Sequence, residues 1–300
     1  MSSYKRPKSV EIVYFSGTGG TKRAADLLSA TFHEQGTAAR CHELHARNPY
    51  HYEATDMLIV LYPVYALNAP KPIYDFISKL PEGNGRLTAV ISVSGGGEVI
   101  PNTACRLHTI RRLKQKGYRI PYERMLVMPA NLFMETPDEL SLLLLEALPE
   151  RVKQIVIDIL SGRVRRRKPY PIDRVLSSFA EAEKYGSRMF GKRMKVSSDC
   201  SGCGLCEQSC PMGNIRRKEL LPEFGDNCVI CLRCVYNCPK KAITPFCSKI
   251  VMLPKGYQLE KLEHRMEEQK GKNVLALINL EEYPVSYGMS GVKKYLMEKD

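Results

Sequence analysis

The chain has 300 residues, of which 44% are hydrophobic and 26% are charged, and its formal net charge at pH 7 is +13. This length allows one large domain or two modest ones, and the composition is that of a globular protein. No run of 18 apolar residues occurs, and no apolar segment of the signal-peptide type precedes the first strand-like run, so we expect a cytoplasmic protein with no membrane span.

The chain opens with the pattern of a strand, a tight loop and a helix. Residues 10–15 are apolar except for Glu11, 16–21 are rich in glycine and hydroxyl groups, and 22–32 have helical periodicity. Hydroxyls and free N–H groups at the start of a helix form a cradle for an anion, so the loop predicts a phosphate site; a plain turn is the alternative. The candidate phosphate-binding residues are Ser16, Thr18, Gly19, Gly20 and Thr21.

The loop does not match two common phosphate-binding motifs. It has no GKS or GKT ending of the Walker type, and Lys22 stands where the dinucleotide fingerprint has its third glycine. The ligand is therefore expected to be a phosphate-bearing molecule outside those two classes.

Short apolar runs then alternate with helical patterns. Strands are predicted at 39–44, 57–62, 87–93 and 125–128, and helices at 72–80, 102–116 and 137–161. Strands that alternate with helices predict a parallel sheet covered on both faces, which is the doubly wound α/β fold.

Two further loops follow predicted strands, at 62–68 and 92–97, where ligands bind in such folds. Together with the first loop they resemble flavodoxins, in which a T/S-x-T-G-N-T loop holds the phosphate of flavin mononucleotide (FMN). Residues 16–21 match that loop except that Gly20 stands where asparagine is usual. The resemblance implies an FMN whose ring is enclosed by the later two loops, with Tyr62 or Tyr65 against its face. The ring-binding residues it implies are Pro63, Tyr65, Ser94, Gly95 and Gly96.

The positive charge is concentrated after this region. Residues 163–199 contain eleven Lys or Arg and four Asp or Glu, and 163–171 combine basic residues with two prolines, which predicts an interdomain linker. The basic charge is explained either by a solvated linker or by docking of an acidic partner. No recognition-helix, RNA-binding or zinc-finger pattern accompanies it, so we expect no nucleic-acid partner.

Eight of the eleven cysteines form a repeat. Cys200-x2-Cys203-x2-Cys206-x3-Cys210-Pro211 recurs 28 positions later as Cys228-x2-Cys231-x2-Cys234-x3-Cys238-Pro239. This is the pattern of bacterial two-cluster ferredoxins, in which the fourth cysteine of each run binds the other [4Fe–4S] cluster. By that pattern one cluster takes Cys200, Cys203, Cys206 and Cys238, and the other takes Cys228, Cys231, Cys234 and Cys210.

Two other uses of these cysteines are less consistent with the spacing. Structural zinc usually takes two C-x2-C pairs, whereas here two triplets are each followed by a delayed Cys-Pro. Disulfides are favoured in small exported proteins, and no export signal is evident. The repeat thus predicts two [4Fe–4S] clusters.

The order of these segments resembles the EFR1-family ferredoxins, which are fusions of a flavodoxin-like domain with a two-cluster ferredoxin domain. We expect a doubly wound parallel-sheet, flavodoxin-like domain at 1–162 and a basic linker at 163–192 with a helix over 174–188. A small α+β ferredoxin-type domain follows at 193–248. The C-terminal extension at 249–300 has no assigned role, and its residues 258–270, 273–280 and 291–298 suggest a helix, a strand and a helix.

The expected function is electron transfer between two [4Fe–4S] clusters and FMN, and to or from an external redox protein that is acidic if the linker docks it. One alternative is a flavin-dependent reductase of a small substrate fed by the clusters. Another is a ferredoxin whose flavodoxin-like domain binds no flavin. No motif declares a proton donor over the flavin ring, and no catalytic residue is predicted.

Overall fold

The structure is a computed structural model that describes residues 4–51, 53, 55–180, 184–270, 278–284 and 289–298. Its first part alternates strands and helices as the sequence predicts. The elements are β1 (Ser9–Tyr14), α1 (Gly20–Glu34), β2 (Ala38–Glu43), β3 (Met57–Pro63), α2 (Lys71–Lys79), β4 (Leu87–Ser94), a 3₁₀ turn (Asn102–Ala104), α3 (Leu107–Gln115), β5 (Arg119–Val127) and α4 (Asp138–Leu160).

The five strands form one parallel sheet in the order β2-β1-β3-β4-β5. This order is that of flavodoxin-like doubly wound folds. The chain adds strands on one side of β1 and then, from β3 onward, on the other side, and ligands bind in such folds at the carboxyl ends of the strands where this switch occurs. The predicted fold is confirmed. Strand β5 begins earlier than expected because Arg119–Glu123, in which two charged residues and Pro121 interrupt the apolar pattern, also pair with β4.

Both faces of the sheet are covered by apolar side chains. One face packs against α1 and α4 through residues such as Leu28 and Val152, and the other packs against α2 and α3 through Ile73 and Leu113. Strand β3 is buried from Met57 to Tyr62, which explains its unbroken apolar run.

The basic segment after α4 lies along the outer edge of β5. The backbone N–H of Arg165 donates to Pro121 O, and Glu123 N–H donates to Arg165 O. Arg166 pairs with the buried Glu123 at 3.1 Å, and Arg167 pairs with Glu98 at 3.2 Å. These arginines therefore neutralise carboxylates of the α/β domain.

Two helical segments follow, α5 (Pro171–Ala180) and α6 (Lys184–Lys192), in the region where the sequence predicts a helix over 174–188; residues 181–183 between them are outside the described part of the chain. The cysteine region then contains only short elements. These are β6 (Lys195–Val196), α7 (Leu205–Ser209), β7 (Ile215–Lys218), β8 (Leu221–Phe224), α8 (Arg233–Tyr236) and β9 (Ile243–Thr244). Strand β6 pairs with β9 and β7 pairs with β8, both antiparallel, so a small α+β ferredoxin-like region follows the large domain.

The C-terminal extension returns to the large domain. It contains α9 (Ser248–Val251), α10 (Leu259–Lys270) and α11 (Ser290–Met297). Helices α10 and α11 both pack against α4, and Arg151 of α4 donates to the carbonyl oxygen of Tyr295. A strand predicted over 273–280 falls largely outside the described residues. Across the part of the chain that is described, no helix is long and apolar enough to cross a membrane.

Candidate functional site

The eight repeat cysteines line two separate cavities, four in each. Cys200, Cys203, Cys206 and Cys238 line the first, which we call site one. Cys210, Cys228, Cys231 and Cys234 line the second, which we call site two. The structure thus brings the cysteines together in the crossed sets that the repeat predicts, with the fourth cysteine of each run facing the other set.

Each cysteine run also contains a backbone hydrogen bond to the sulfur of its fourth cysteine, at matching positions. Asn214 N–H donates to Cys210 Sγ at 3.3 Å, and Ala242 N–H donates to Cys238 Sγ at 3.3 Å, at positions 28 residues apart. Ile230 N–H donates to Cys228 Sγ at 3.4 Å. Such bonds stabilise negative charge on sulfur, which suits thiolates that hold an iron–sulfur cluster.

No three His, Cys, Asp or Glu side chains among the described residues are grouped around the position of one metal ion. A four-iron cluster requires thiolates that are farther apart than the ligands of a single ion, because each of its four thiolates binds a different iron. Sites one and two each have four cysteines in the wall of one cavity, which is consistent with that requirement.

The two sites differ in burial. Cys203 of site one is exposed, whereas Cys231 of site two is 9% exposed. Burial raises the pKa of the Cys228 thiol to about 12 and also raises that of Cys234. Site two is covered by α6, whose Gly191 comes so near that an added Cβ would lie 2.7 Å from the Cβ of Cys228.

The predicted phosphate loop presents free backbone donors. Ser16 Oγ lies inside the loop and accepts from the N–H groups of Gly19 at 3.2 Å and Lys22 at 3.3 Å. Four other loop amides donate to no atom of the described residues, namely those of Gly17, Thr18, Gly20 and Thr21. With the N-terminus of α1 behind them, these amides suit an anion such as a phosphate.

A cavity of about 60 Å³ opens over this loop. Its walls include eight of the predicted residues, namely Ser16, Thr18, Gly20, Thr21, Pro63, Tyr65, Ser94 and Gly95. Of the remaining two, Gly19 forms the left-handed turn before α1 with φ 99°, and Gly96 lines the neighbouring cavity. The structure therefore brings the ten predicted residues together at the carboxyl ends of the strands.

That neighbouring cavity is larger, with a volume of about 350 Å³, within the usual range of ligand pockets. We call it the ring cavity. It shares the walls Val64, Tyr65, Ser94, Gly95, Ala130 and Asn131 with the loop cavity. Most of its other walls are apolar, including Leu67, Leu132 and Met289. A polar loop cavity joined to a larger apolar one suits a ligand with a phosphate at one end and a flat ring at the other.

The ring cavity meets site two directly. Val229 and Ile230, which lie between Cys228 and Cys231, line both cavities. On the other side of site two, the Cβ of Cys231 lies 3.0 Å from where a Cβ on Gly17 would stand, and the Tyr65 hydroxyl lies closer still. Only glycine fits at position 17, where the phosphate loop, Tyr65 and Cys231 meet.

Arg233 holds the cysteine region against the phosphate loop. Its guanidinium donates to the carbonyl oxygen of Ser16 at 2.8 Å and to that of Gly17, and it pairs with Glu43 of β2 at 3.1 Å. It also donates to Ser209 O at 3.2 Å within its own region. One side chain thereby joins α8 to the loop and to the edge of the sheet.

Several wall residues were not anticipated from the sequence. Asn131 donates to Thr18 Oγ1 at 2.8 Å, and Tyr257 and Met289 reach the cavities from the C-terminal extension. No local motif marks Asn131, Tyr257 or Met289, because the tertiary fold alone brings them to the site. Within the loop predicted at 62–68, Ala66 and Leu67 turn the chain with φ of 44° and 60°, a conformation that favours glycine or asparagine and that the sequence does not indicate.

Comparison with known proteins identifies the cysteine region. Residues 199–243 match the family described as 4Fe-4S dicluster domain. No curated protein is similar enough to the chain to count as a match. The family match, together with the flavodoxin-like fold of the first domain, supports an electron-transfer role.

Solved structures similar to the chain align with its first half. A flavodoxin from the domain Archaea has 13% identity and a TM-score of 0.38, and the alignment covers 52% of this chain and 98% of that one. A flavodoxin of Streptococcus pneumoniae TIGR4 has 19% identity and a TM-score of 0.39, covering 51% and 99%. General stress protein 14 of Treponema denticola, solved in complex with FMN, has 14% identity and a TM-score of 0.35, covering 52% and 97%. The strand order of the first domain and the family match of residues 199–243 describe a flavodoxin-like fold followed by a [4Fe–4S] dicluster domain.

Proposed function

We propose that this chain transfers electrons between two [4Fe–4S] clusters and an FMN, and exchanges them with an external redox protein. Each cluster would carry one electron at a time and the FMN one or two, so the chain would connect single-electron with paired-electron chemistry. The observation that carries this proposal is the wall of Val229 and Ile230 between site two and the ring cavity.

Different groups of residues would bind the clusters, the FMN phosphate and the flavin ring. The site-one cysteines would hold one cluster and the site-two cysteines the other, in the crossed sets given above. The four free loop amides, those of Gly17, Thr18, Gly20 and Thr21, would bind the FMN phosphate. Tyr65, Ser94 and the apolar walls of the ring cavity would enclose the flavin ring and exclude water from it.

The order of the electron path follows from burial. Site two is buried and adjoins the ring cavity, whereas site one is exposed through Cys203 and has no wall in common with that cavity. Electron transfer slows steeply with distance, so electrons from outside would reach site one first, then site two, then the flavin. The reverse order would serve for delivery outward.

The surface around site one would receive the partner. Leu205 and Leu220 are 45% and 70% exposed beside the site-one cysteines. Lys240 lines the same cavity and is exposed, as are its neighbour Lys241 and Arg216, which is next to the cavity residue Arg217. Because Arg166 and Arg167 of the basic segment are engaged by carboxylates of the chain itself, this surface is the better place for an acidic protein to dock.

Replacing Arg216, Lys240 and Lys241 by Gln tests this docking surface. Reduction by an acidic protein donor should slow at low salt, while high salt, which screens exposed charges, should remove the difference from the unmodified protein. If the triple variant is reduced at the normal rate at low salt, the partner does not dock on this surface.

The central experiment is an anaerobic preparation analysed for iron, sulfide and flavin. Two clusters of ~4 Fe each and one flavin per chain would support the proposal. Eight irons without flavin, after reconstitution with excess FMN, would leave a two-cluster ferredoxin with an empty flavodoxin-like domain. Loss of the brown absorption on replacing one cysteine of each set should accompany loss of iron.

The proposal extends to the organisation of the chain. We assign 1–162 to the flavodoxin-like domain, 163–192 to the basic segment and its helix, and 193–248 to the ferredoxin-type domain. This arrangement favours membership of the EFR1-family ferredoxins. Residues 249–300 form the C-terminal extension.

A further inference from the structure

The C-terminal extension reaches both cavities of the proposed flavin site. Tyr257, just before α10, lines the loop cavity together with Ser16, Thr18 and Thr21. Met289, just before α11, lines the ring cavity. The extension therefore contacts the site at its phosphate end and at its ring end.

The Tyr257 side chain is directed at the phosphate loop. Its hydroxyl lies 3.7 Å from where a Cβ on Gly20 would stand, and the next residue but one, Leu259, approaches Gly19 in the same way at 3.6 Å. The ring of Tyr257 packs beside that of Tyr236, with centroids 6.4 Å apart. Tyr236 is itself fixed, because its hydroxyl donates to Asn131 O at 2.8 Å and accepts from Leu253 N–H at 3.1 Å.

The Tyr257 side chain is largely buried, with 6% of the residue exposed, and it lines the loop cavity. Its hydroxyl makes no hydrogen bond within the described part of the chain. A hydroxyl donor that lines the same cavity as four free amides suits a shared acceptor such as a phosphate. Burial raises the pKa of Tyr257, so the hydroxyl keeps its proton and remains a donor at neutral pH.

At the ring end, the extension makes a close backbone contact. Gly291 lies so near to Gly96 that a Cβ on Gly291 would collide with the carbonyl oxygen of Gly96. A Cβ on Gly97 would in turn lie 2.6 Å from the backbone of Gly291. This contact sets α11 against the loop after β4 and places Met289 in the cavity wall.

We propose that the C-terminal extension completes the flavin site, with the Tyr257 hydroxyl donating a hydrogen bond to the phosphate and the Met289–Gly291 segment closing the ring cavity. This inference rests on the proposed binding of FMN. It assigns a ligand-binding role to a segment beyond the flavodoxin-like domain, so that domain would be an incomplete flavin site without the extension.

The test compares FMN with riboflavin, which has the ring but no phosphate. Dissociation constants are measured by fluorescence titration of the full chain with its clusters in place, under anaerobic conditions. Tyr257→Phe should weaken FMN binding by about tenfold or more, as expected for a hydrogen bond to a charged group, and leave riboflavin binding unchanged. Gly291→Ala should weaken the binding of both flavins.

Tyr283→Phe is the matched control, since Tyr283 belongs to the same extension but donates to Glu139 at 3.2 Å on the surface. It should bind both flavins as the unmodified chain does, and cluster absorption and thermal unfolding should show that all three variants fold.

Each adverse outcome points to a different error. If Tyr257→Phe binds FMN normally, or loses FMN and riboflavin equally, the phosphate contact is wrong while the proposed FMN site stands. If Gly291→Ala binds both normally, the ring-end contact is wrong. If the unmodified chain binds neither flavin, the proposed function fails and this inference with it.

Discussion

The two cysteine repeats bend at the same two places, the first with glycine and the second with large apolar residues. Gly202 and Gly204 have φ of 66° and 75°, and Ile230 and Leu232, 28 positions later, have φ of 55° and 56°. A left-handed backbone costs a residue with a Cβ about 1–2 kcal/mol, and isoleucine rarely adopts it. The second repeat therefore carries strain that the first avoids.

The surroundings of the two repeats explain this difference. Ile230 forms the wall between site two and the ring cavity, and Leu232 is 2% exposed in a core that includes Phe190 and Ile243. Glycines at these positions would leave site two uncovered. Around site one, where Cys203 is exposed, no such cover is needed. The strain in the second repeat thus accompanies burial beside the flavodoxin-like domain.

The largest expected effects come from replacing one cluster-binding cysteine in each site and comparing the two variants. Cys203→Ser and Cys231→Ser should each remove about 4 Fe per chain. Only Cys231→Ser should also weaken FMN binding, because Cys231 touches the phosphate loop at Gly17 and anchors the Val229–Ile230 wall. Iron analysis and FMN titration measure the two effects, and equal FMN affinities in the two variants would show that the sites do not differ in this way.

The next effect concerns how firmly each site is joined to its surroundings. Arg233 beside site two is mostly buried, and Arg233→Gln would leave Glu43 and the carbonyl oxygens of Ser16 and Gly17 without their donor. We expect a loss of about 2 kcal/mol in the free energy of unfolding. Arg217→Gln is the matched change at site one, where solvent screens the ion pair with Glu207, and it should cost much less than Arg233→Gln.

Urea titrations of the anaerobic holoproteins provide the comparison. Similar losses for Arg233→Gln and Arg217→Gln would mean that Arg233 does not link the two domains energetically. Glu43→Gln, which keeps the guanidinium contacts to the loop carbonyls, should lose less than Arg233→Gln.

The repeats also show what could be predicted from the sequence. The alternation of apolar runs and helical patterns was sufficient for the doubly wound sheet, because its strands are buried on both faces. The 28-residue offset was sufficient for the crossed cysteine sets that line the two cavities. Both are properties of short, regular patterns.

Other features depend on contacts between distant segments. The left-handed backbone of Ile230 and Leu232 contradicts local preference, and only packing across the two regions accounts for it. Residues 163–168 read as a free basic linker, yet Arg166 and Arg167 meet carboxylates of β5 and of the loop after β4. Tyr257 has no motif around it and reaches the phosphate loop only because α10 packs on α4.

The smallest expected change in stability comes from exchanging glycine and a larger residue at the matching left-handed positions of the two repeats. Ile230→Gly should relieve about 1–2 kcal/mol of strain and lose a similar amount of apolar burial, so the free energy of unfolding should change by less than about 1 kcal/mol. Gly202→Ala, the reverse change at site one, should cost about 1 kcal/mol, since its Cβ would stand on a left-handed backbone 3.0 Å from Leu220 O.

Stability alone would not reveal why isoleucine stands at position 230, but exposure to air should. Ile230→Gly opens the wall of site two to water and oxygen, so its cluster absorption should bleach faster in air than that of the unmodified chain, while Gly202→Ala should bleach at the normal rate. Because Ile230 also faces the ring cavity, bound FMN should slow the bleaching of Ile230→Gly by refilling the opened space. If FMN gave no protection, the ring would not lie against site two, and the strain at Ile230 would have to serve the cluster alone.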